Sequence, residues 1–258
     1  MDKTTLGNRM KNNYENISRY YLTRRTPVII RIDGKTFHTF TRGFKKPFDN
    51  ILVKTMQETM RYLCENVQGC VLGYTQSDEI SLVLLDYAEL TTDAWFGNNL
   101  QKMCSVSASM ATLAFNKVFT RNVLKQSKRL IHTEYLDEKD VSYIKTLEKA
   151  MDKGAMFDSR VFTIPKEEVC NYMLWRQNDA VRNSIQSVGQ FNFSHKELHG
   201  KSCNNIQDML MTQKGINWND YDTTLKRGSC CIKVRDGLIK YDEAGSICGY
   251  TQRKKVDY

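Results

Sequence analysis

The sequence lacks the features of a membrane, secreted or disordered chain. Only three of its 258 residues are proline, and 41% of them are hydrophobic, which excludes a disordered chain or a proline-rich linker protein. The apolar runs are short, as at residues 82–85, and the first 25 residues contain none. We therefore expect neither a membrane span nor a signal peptide.

The eight cysteines form no Cys-x-x-Cys pair, and neither a glycine-rich phosphate loop nor a Gly-x-Ser-x-Gly elbow is present. His195 and His199 have the spacing of two ligands on one helical face, but no third ligand accompanies them, so we do not predict zinc. Cys64 and Cys104 fall within amphipathic runs, where a reduced thiol acts as a small hydrophobe. A reducing, cytoplasmic compartment is expected.

Positive charge is in excess and is unevenly distributed. The chain has 38 Lys and Arg against 29 Asp and Glu, a net charge of +9. Residues 1–25 and 226–258 each carry +4, residues 121–153 carry +2, and residues 26–120 are neutral. A neutral centre with basic flanks indicates either a polyanionic partner or a solvated basic surface.

The apolar pattern predicts six elements in the order β-α-β-β-α-β. They are a strand at 28–32, a helix with apolar positions from 52 to 67, a hairpin of 70–74 and 80–85 around a turn at 75–79, a helix at 95–120 and a strand at 160–164. This is the ferredoxin-like order, an α+β fold in which both helices pack on one face of an antiparallel sheet.

The remaining segments are predicted to surround this unit. Residues 121–157 are charged and weakly periodic, which favours a helical or looped insertion on the surface. A helix from Pro165 to about Gln186, a capping box at Ser194, a helix at 204–213 and a strand at 229–234 are expected to follow. We expect residues 1–165 to form an N-terminal arm and catalytic core, and residues 166–258 to pack on it as a helical region of the same compact domain.

Two acidic residues, Asp33 and Asp78, are the most informative. Asp33 ends the first strand and Asp78 lies in the hairpin turn, so the sheet can bring both to one edge. Two carboxylates suit Mg²⁺, and two such ions can serve a displacement at phosphorus. Plain turn residues are the alternative at this point. Cations near a metal site suit a triphosphate, as His38 and the Lys45–Lys46 pair would, although a lysine pair before Pro47 is more often part of a solvated loop.

Several motifs occur in a fixed order along the chain. They are Leu6-Gly7-Asn8-Arg9-Met10-Lys11, Arg31-Ile32-Asp33-Gly34-Lys35-Thr36-Phe37-His38, Lys46-Pro47-Phe48-Asp49, Gly73-Tyr74-Thr75-Gln76-Ser77-Asp78-Glu79, Phe157-Asp158-Ser159-Arg160 and Trp175-Arg176-Gln177. Over roughly residues 6–235 this series resembles the tRNA-His guanylyltransferase superfamily. From spacing alone, Trp175 is interpreted as a packing residue rather than a base-stacking platform.

The resemblance implies a polymerase-palm-like core that adds nucleotides in the 3′-to-5′ direction at the 5′ end of an RNA. Two Mg²⁺ ions would be held by Asp33, Asp78 and the Gly34 carbonyl, with Glu79 as a further catalytic residue. Nucleotide contacts carry over to Asp33, Gly34, Lys35, Thr36, Phe37, His38, Ser77 and Asp78, and triphosphate or activation contacts to Lys46, Asp49, Lys102 and Arg160.

The implied reaction begins with ATP or GTP activating a 5′-monophosphorylated tRNA, which the 3′-hydroxyl of an incoming NTP then attacks. A homotetramer is also implied. The basic ends, with Arg24, Arg25, Arg253, Lys254 and Lys255, are expected to bind the tRNA backbone.

The sequence departs from the family pattern in two places. Enzymes that add one untemplated G to tRNA-His carry His-Ile-Asn-Asn-Leu-Tyr-Asn after the Trp-Arg-Gln helix, whereas residues 179–185 keep Asn183 but have no histidine. This resembles the bacterial and archaeal branch that repairs 5′-truncated tRNA by templated addition. Asn98 and Asn99 stand where relatives often have basic residues, so Lys102 is expected to serve the triphosphate. The alternatives are the tRNA-His enzyme, a palm-type cyclase acting on free NTPs, and a non-enzymatic tRNA-binding protein.

Overall fold

The computed structural model describes residues 5–131, 137–241 and 247–257, with side chains for 5–129 and 137–233. Helix α1 (Thr5–Met10) runs into a π-helical segment, Lys11–Glu15. The core elements follow as β1 (Val28–Gly34), α2 (Phe37–Phe40), α3 (Asn50–Asn66), β2 (Cys70–Gln76), β3 (Glu79–Leu84), α4 (Leu100–Ile131), α5 (Glu138–Lys153) and β4 (Phe157–Thr163). The last elements are α6 (Glu168–Asn192), α7 (His195–Leu198), α8 (Cys203–Lys214), α9 (Thr223–Arg227), β5 (Ser229–Tyr241) and β6 (Ile247–Asp257).

The six strands form one antiparallel sheet in the order β4-β1-β3-β2-β5-β6. The β-α-β-β-α-β order and the α+β class are thus confirmed. Strand β1 lies between β3 and β4, and its residue Asp33 is directly opposite Glu79 on one side and Asp158 on the other. This register decides which side chains meet at the end of the sheet.

Both faces of the central strands are covered, which explains their continuous β-branched sequence. Ile30 and Ile32 face α3 and α4, where they join a core that includes Met60 and Phe115. Ile29, on the opposite face, packs with Val83 and with Tyr172 of α6. The predicted pair of helices therefore shares one face, and α6 covers the other.

The second long helix begins later and ends later than predicted. The segment Trp95–Asn98 is a short 3₁₀ turn, and Phe96, Gly97 and Asn98 have positive φ angles of 51°, 59° and 63°, which a continuing α-helix cannot adopt. Helix α4 starts at Leu100 and continues to Ile131, beyond the expected end at residue 120.

The segment predicted as an insertion at 121–157 is largely helical in its described part, but the prediction that it lies on the surface is wrong. Val123 at the end of α4 and Leu147 of α5 are fully buried, and Tyr143 and Ala150 pack beside them in the main core. Spacings of four and three residues place these three α5 side chains on one helical face. The numerous charges of α5 lie around that stripe.

The C-terminal region contributes to the sheet as well as to the helical layer. Helix α6 begins at Glu168, after a turn at Pro165, and extends past the expected end at Gln186. The capping box at Ser194 and the helix predicted at 204–213 are confirmed, and β5 confirms the strand at 229–234, although β6 follows it. None of the described helices combines the length and apolarity needed to span a bilayer.

Candidate active site

Asp33 and Asp78 meet at one end of the sheet. Asp33 is the next-to-last residue of β1, and Asp78 belongs to a two-residue turn with Ser77, narrower than the predicted turn at 75–79. The Gly34 backbone N–H donates a hydrogen bond of 3.1 Å to the Asp78 carbonyl oxygen. Ser77 adopts a positive φ of 50° in this turn. The backbone therefore fixes the end of β1 against the hairpin turn.

Negative charge is concentrated at this junction. Burial raises the pKa of Asp78, and the charges of Asp33 and Glu79 raise it further, while a hydrogen bond donated by the Ser77 hydroxyl opposes the shift. The nearest recorded cation to Asp33 is Arg160, whose Nη lies 3.9 Å from the carboxylate. In the described residues no three His, Cys, Asp or Glu side chains are grouped around a metal position. The junction thus offers two carboxylates and backbone oxygens.

Glu79 is held in a buried ion network. Its carboxylate accepts hydrogen bonds from Arg31 at 2.7 Å and from Arg176 at 2.8 Å, and both Glu79 and Arg176 are almost completely buried. Asp179 pairs with the other side of Arg176 at 3.3 Å. Glu79 therefore links α6 to β3 and β1 next to the Asp78 turn, and its direct participation in catalysis stays a prediction.

A cavity of about 750 Å³ opens beside the carboxylates. Many of the predicted nucleotide and triphosphate residues line it. They are Gly34, Thr36, Phe37, His38, Lys46, Asp49, Ser77 and Asp78. The opposite wall, which the motifs did not predict apart from Asn183, includes Gln57, Ala180, Ser184 and Ser229. The predicted residues Asp33, Lys35, Lys102 and Arg160 do not line the cavity.

Phe37 lies between the cavity and the main core. Its ring is buried and packs against the rings of Phe40, Phe115 and Phe157 at centroid distances of 5.0–5.5 Å. A Cβ atom on Gly34 would lie only 2.2 Å from this ring, so the position requires glycine. Phe37 thus positions the Gly34 backbone. The side chain of Phe37 is almost completely buried, so little of it is available for the predicted contact with a nucleotide.

Asp49 is the N-cap of α3. Its carboxylate accepts hydrogen bonds from the backbone N–H groups of Ile51, Leu52 and Lys45. It also accepts one of 2.6 Å from the Tyr143 hydroxyl, and burial together with this carboxylate raises the pKa of Tyr143. These contacts fix the loop that carries Lys45 and Lys46. The predicted activation role of Asp49 stays a prediction, with loop anchoring as its observed contribution.

The remaining predicted contacts lie on the surface around the junction. Arg160 is 57% exposed and lies between Asp33 and Asp158. Lys102, in the first turn of α4, is exposed near the Phe96 ring, while Asn98 and Asn99 are buried. The Asn99 side chain caps α4 by accepting from the Lys102 N–H, which explains an asparagine there in structural terms.

The predicted tRNA-binding arginines of the N-terminal arm differ in their surroundings. Arg24 donates to Asp86 at 2.8 Å, so its guanidinium is partly committed to the fold. Arg25 is exposed and only its backbone N–H bonds to Asp86. Arg253, Lys254 and Lys255 lie in β6, outside the part of the chain whose side chains are described.

The motifs did not identify Asp158 as a site residue. It is 55% exposed and directly opposite Asp33, because β4 begins at Phe157 and not at residue 160 as predicted. A predicted strand that began at residue 157 instead of 160 would have placed Asp158 opposite Asp33. Trp175 packs against Tyr172 and Arg176, in keeping with its interpretation as a packing residue, but 52% of it is exposed.

Comparison with known proteins identifies the family. Residues 7–165 match the sequence model of the family described as tRNAHis guanylyltransferase. The chain belongs to the tRNAHis guanylyltransferase family. Family members are nucleotidyltransferases that process tRNA and bind nucleotides, and this family member is therefore an enzyme of that class.

Solved structures and sequence relatives agree with this assignment. A bacterial tRNA(His) guanylyltransferase-like protein in complex with ATP is 44% identical, with a TM-score of 0.76, over 98% of this chain and 92% of that chain. A structure of the same description in complex with GTP is 39% identical, with a TM-score of 0.72, over 98% and 91%. The tRNA(His) guanylyltransferase of Saccharomyces cerevisiae is 27% identical over 82% of this chain and 84% of that protein.

Proposed function

We propose that this family member adds nucleotides to the 5′ end of truncated tRNA in the 3′-to-5′ direction, using the opposite strand as template. The observation that carries the proposal is the junction of Asp33, Gly34 and Asp78, of which Gly34 and Asp78 line a cavity of about 750 Å³. Such a volume lies within the range of small-molecule sites, and a nucleoside triphosphate is of that class.

The residues at the junction fit Mg²⁺. The ionised Asp78 is disfavoured by burial and by the charges of Asp33 and Glu79, which a divalent cation would compensate. Mg²⁺ prefers hard oxygen ligands, and Asp33, Asp78 and the Gly34 carbonyl would supply them. When bound, a pair of such ions supplies charge stabilisation for in-line displacement at phosphorus.

The cavity is suited to the activating nucleotide. His38, Lys45 and Lys46 place cationic or titratable groups along its wall, where they would bind a triphosphate. Asp49 holds the loop of Lys45 and Lys46 in place through the start of α3 and Tyr143. The complexes of the bacterial relatives with ATP and with GTP support a purine nucleoside triphosphate as the activating substrate.

Templated repair is favoured over addition of a single G by the α6 side of the cavity. Ala180 and Asn183 line it from a segment that has no histidine, unlike the motif of the tRNA-His enzymes. We also infer a cytoplasmic homotetramer. The unpaired state of the cysteines in the described residues supports a reducing compartment, and exposed Leu6, Met10 and Tyr14 support burial of the N-terminal arm against another copy.

Extension of a series of 5′-labelled tRNAs that lack one or more 5′ nucleotides tests the proposal. With Mg²⁺, ATP and all four NTPs, the product should follow the base on the opposite strand when that base is varied. Asp33→Ala should reduce addition by at least about 10³-fold, because it removes a ligand needed at the reacting phosphate. Asp208→Ala, an exposed carboxylate on α8, is the charge-matched control and should retain full activity.

The alternative functions give different products in the same assay. Addition of G whatever the opposite base would indicate the tRNA-His activity, and a cyclic product formed from NTP without RNA would indicate a cyclase. Normal extension by Asp33→Ala would contradict the assigned metal ligand. A protein that binds tRNA but neither extends it nor consumes NTP would be a binding protein.

A further inference from the structure

Trp175 is exposed although two side chains close to it on α6 are buried. It is 52% exposed, whereas Trp95 and Trp218 are 8% and 6% exposed, and Tyr172 and Arg176 beside it are buried. A large, exposed aromatic side chain offers a wide contact surface, and fixing it on binding costs little conformational entropy.

Two guanidinium groups lie close to the Trp175 ring. The Arg176 guanidinium carbon lies 3.7 Å from the ring centroid and the Arg31 guanidinium carbon lies 5.6 Å away. Arg176 is itself fixed by Glu79, and Tyr172 contacts the indole edge-on at 5.9 Å. Because the buried guanidinium covers one face of the ring, the exposed area belongs to the rest of it.

The location of Trp175 relates it to the carboxylates. Arg31 precedes Asp33 by two residues on β1, a distance of about 7 Å along a strand, and both side chains lie on the same face. Arg160 is opposite Arg31, is 57% exposed, and reaches within 3.9 Å of Asp33.

We propose that Trp175 stacks on the terminal base pair at the 5′ end of the RNA substrate, with Arg160 as the partner of the adjacent phosphate. The proposal rests on the proposed function. Arg31 and Arg176 are paired with Glu79, whereas Arg160, opposite Arg31 and 57% exposed, is open to a phosphate. Stacking tolerates every base, which suits an enzyme that extends ends of varying sequence.

Two RNAs with the same stem separate end stacking from phosphate binding. One is a 5′-phosphorylated acceptor-stem hairpin, which has a terminal pair; the other is a dumbbell closed by loops at both ends, which has none. Binding of fluorescently labelled RNA is measured in EDTA, so that no chemistry occurs. Trp175→Ala should weaken binding of the hairpin about tenfold and leave binding of the dumbbell unchanged.

Matched variants test the nature of the contact. Trp175→Phe should stay within about threefold of the wild type, because a ring remains, and Leu174→Ala, 55% exposed on the same helix, should bind as the wild type does. The hairpin should also quench the tryptophan emission of the wild-type protein more than that of Trp175→Phe. Circular dichroism of each variant reports whether it folds.

Equal binding of both RNAs by Trp175→Ala and the wild type would overturn the proposal, as would an equal loss for hairpin and dumbbell. These results are independent of catalysis. If the wild type extends tRNA while Trp175→Ala binds the hairpin normally, only the stacking proposal is wrong. If the wild type extends no RNA, the proposed function is wrong, whatever the hairpin-to-dumbbell ratio.

Discussion

Asp33, Gly34 and Asp78 owe their arrangement to contacts of the backbone. The Gly34 N–H bonds to the Asp78 carbonyl, Ser77 adopts a left-handed conformation in the turn, and the Phe37 ring leaves no room for a Cβ at Gly34. The two carboxylates are thereby held close enough for the charge of Asp33 to raise the pKa of Asp78. The site accepts an electrostatic penalty in the absence of a cation, and that penalty is measurable.

Asp78→Asn should stabilise the metal-free protein while it abolishes nucleotide addition. The pKa of Asp78 is raised in the folded state, so ionisation opposes folding, and the wild type loses stability as the pH rises through that pKa. Asparagine does not ionise and can keep the hydrogen bond from Ser77. We expect a higher Tm by about 1–4 °C in EDTA at pH 7.

The pH dependence provides the control for this prediction. The difference in Tm between Asp78→Asn and the wild type should shrink as the pH falls towards 4, because protonation of Asp78 removes the charge that burial disfavours. Mg²⁺ should raise the Tm of the wild type more than that of the variant, because it binds the folded state through this carboxylate. A Tm advantage that is constant from pH 4 to pH 7 would contradict the electrostatic cause.

The sequence was sufficient to predict Asp33 and Asp78 because a strand end and a hairpin turn are local signals. Asp158 and the network of Glu79 with Arg176 depend on strand register and on the placement of α6, which join residues 97 or more positions apart. No local pattern reports such contacts. The exposure of Trp175 was missed for the same reason, since its spacing from Tyr172 fits both a packed and an exposed ring.

At the scale of elements, α5 shows how a charged segment can belong to the core. The sequence of α5 has many charged residues, yet Tyr143, Leu147 and Ala150 form a buried stripe, and Tyr143 bonds to Asp49 at the start of α3. Helix α5 thus supports the loop of Lys45 and Lys46. The strands and α3 were predictable from strong periodicity, whereas three apolar positions among charges gave too weak a signal.

Leu147→Ala should destabilise the whole core and not merely loosen a surface helix. Leu147 is fully buried, and truncation of a buried leucine costs about 2–5 kcal/mol in the free energy of unfolding. Denaturant unfolding should show this loss in a single transition. Lys149→Ala, exposed on the same helix, is the control and should change stability by less than about 0.5 kcal/mol. A small effect of Leu147→Ala would contradict the assignment of α5 to the core.

At the scale of the whole molecule, charge and chemistry are separated. Residues 26–120, which contain Asp33 and Asp78, are neutral, and the excess of positive charge belongs to the ends. Because Arg24 bonds to Asp86, Arg25 is the freer candidate in the N-terminal arm. At the other end, β6 forms the edge of the sheet, with Lys254 opposite Arg235 in the register.

Replacing Arg253, Lys254 and Lys255 by glutamine should therefore weaken tRNA binding and make it less dependent on salt. Each lost phosphate contact lowers the slope of log K against log salt concentration by about 0.7–0.9, so the triple variant should lose up to about 2–3 in slope. Activation by ATP at saturating tRNA should be unchanged, because the neutral centre is intact. Glutamine at Lys196, Lys201 and Lys214, which are exposed in the helical region, changes the net charge equally and serves as the control. If both triple variants give the same slope, net charge alone governs binding and the basic end has no specific role; a slope lost only in the β6 variant places the tRNA backbone on that edge of the sheet.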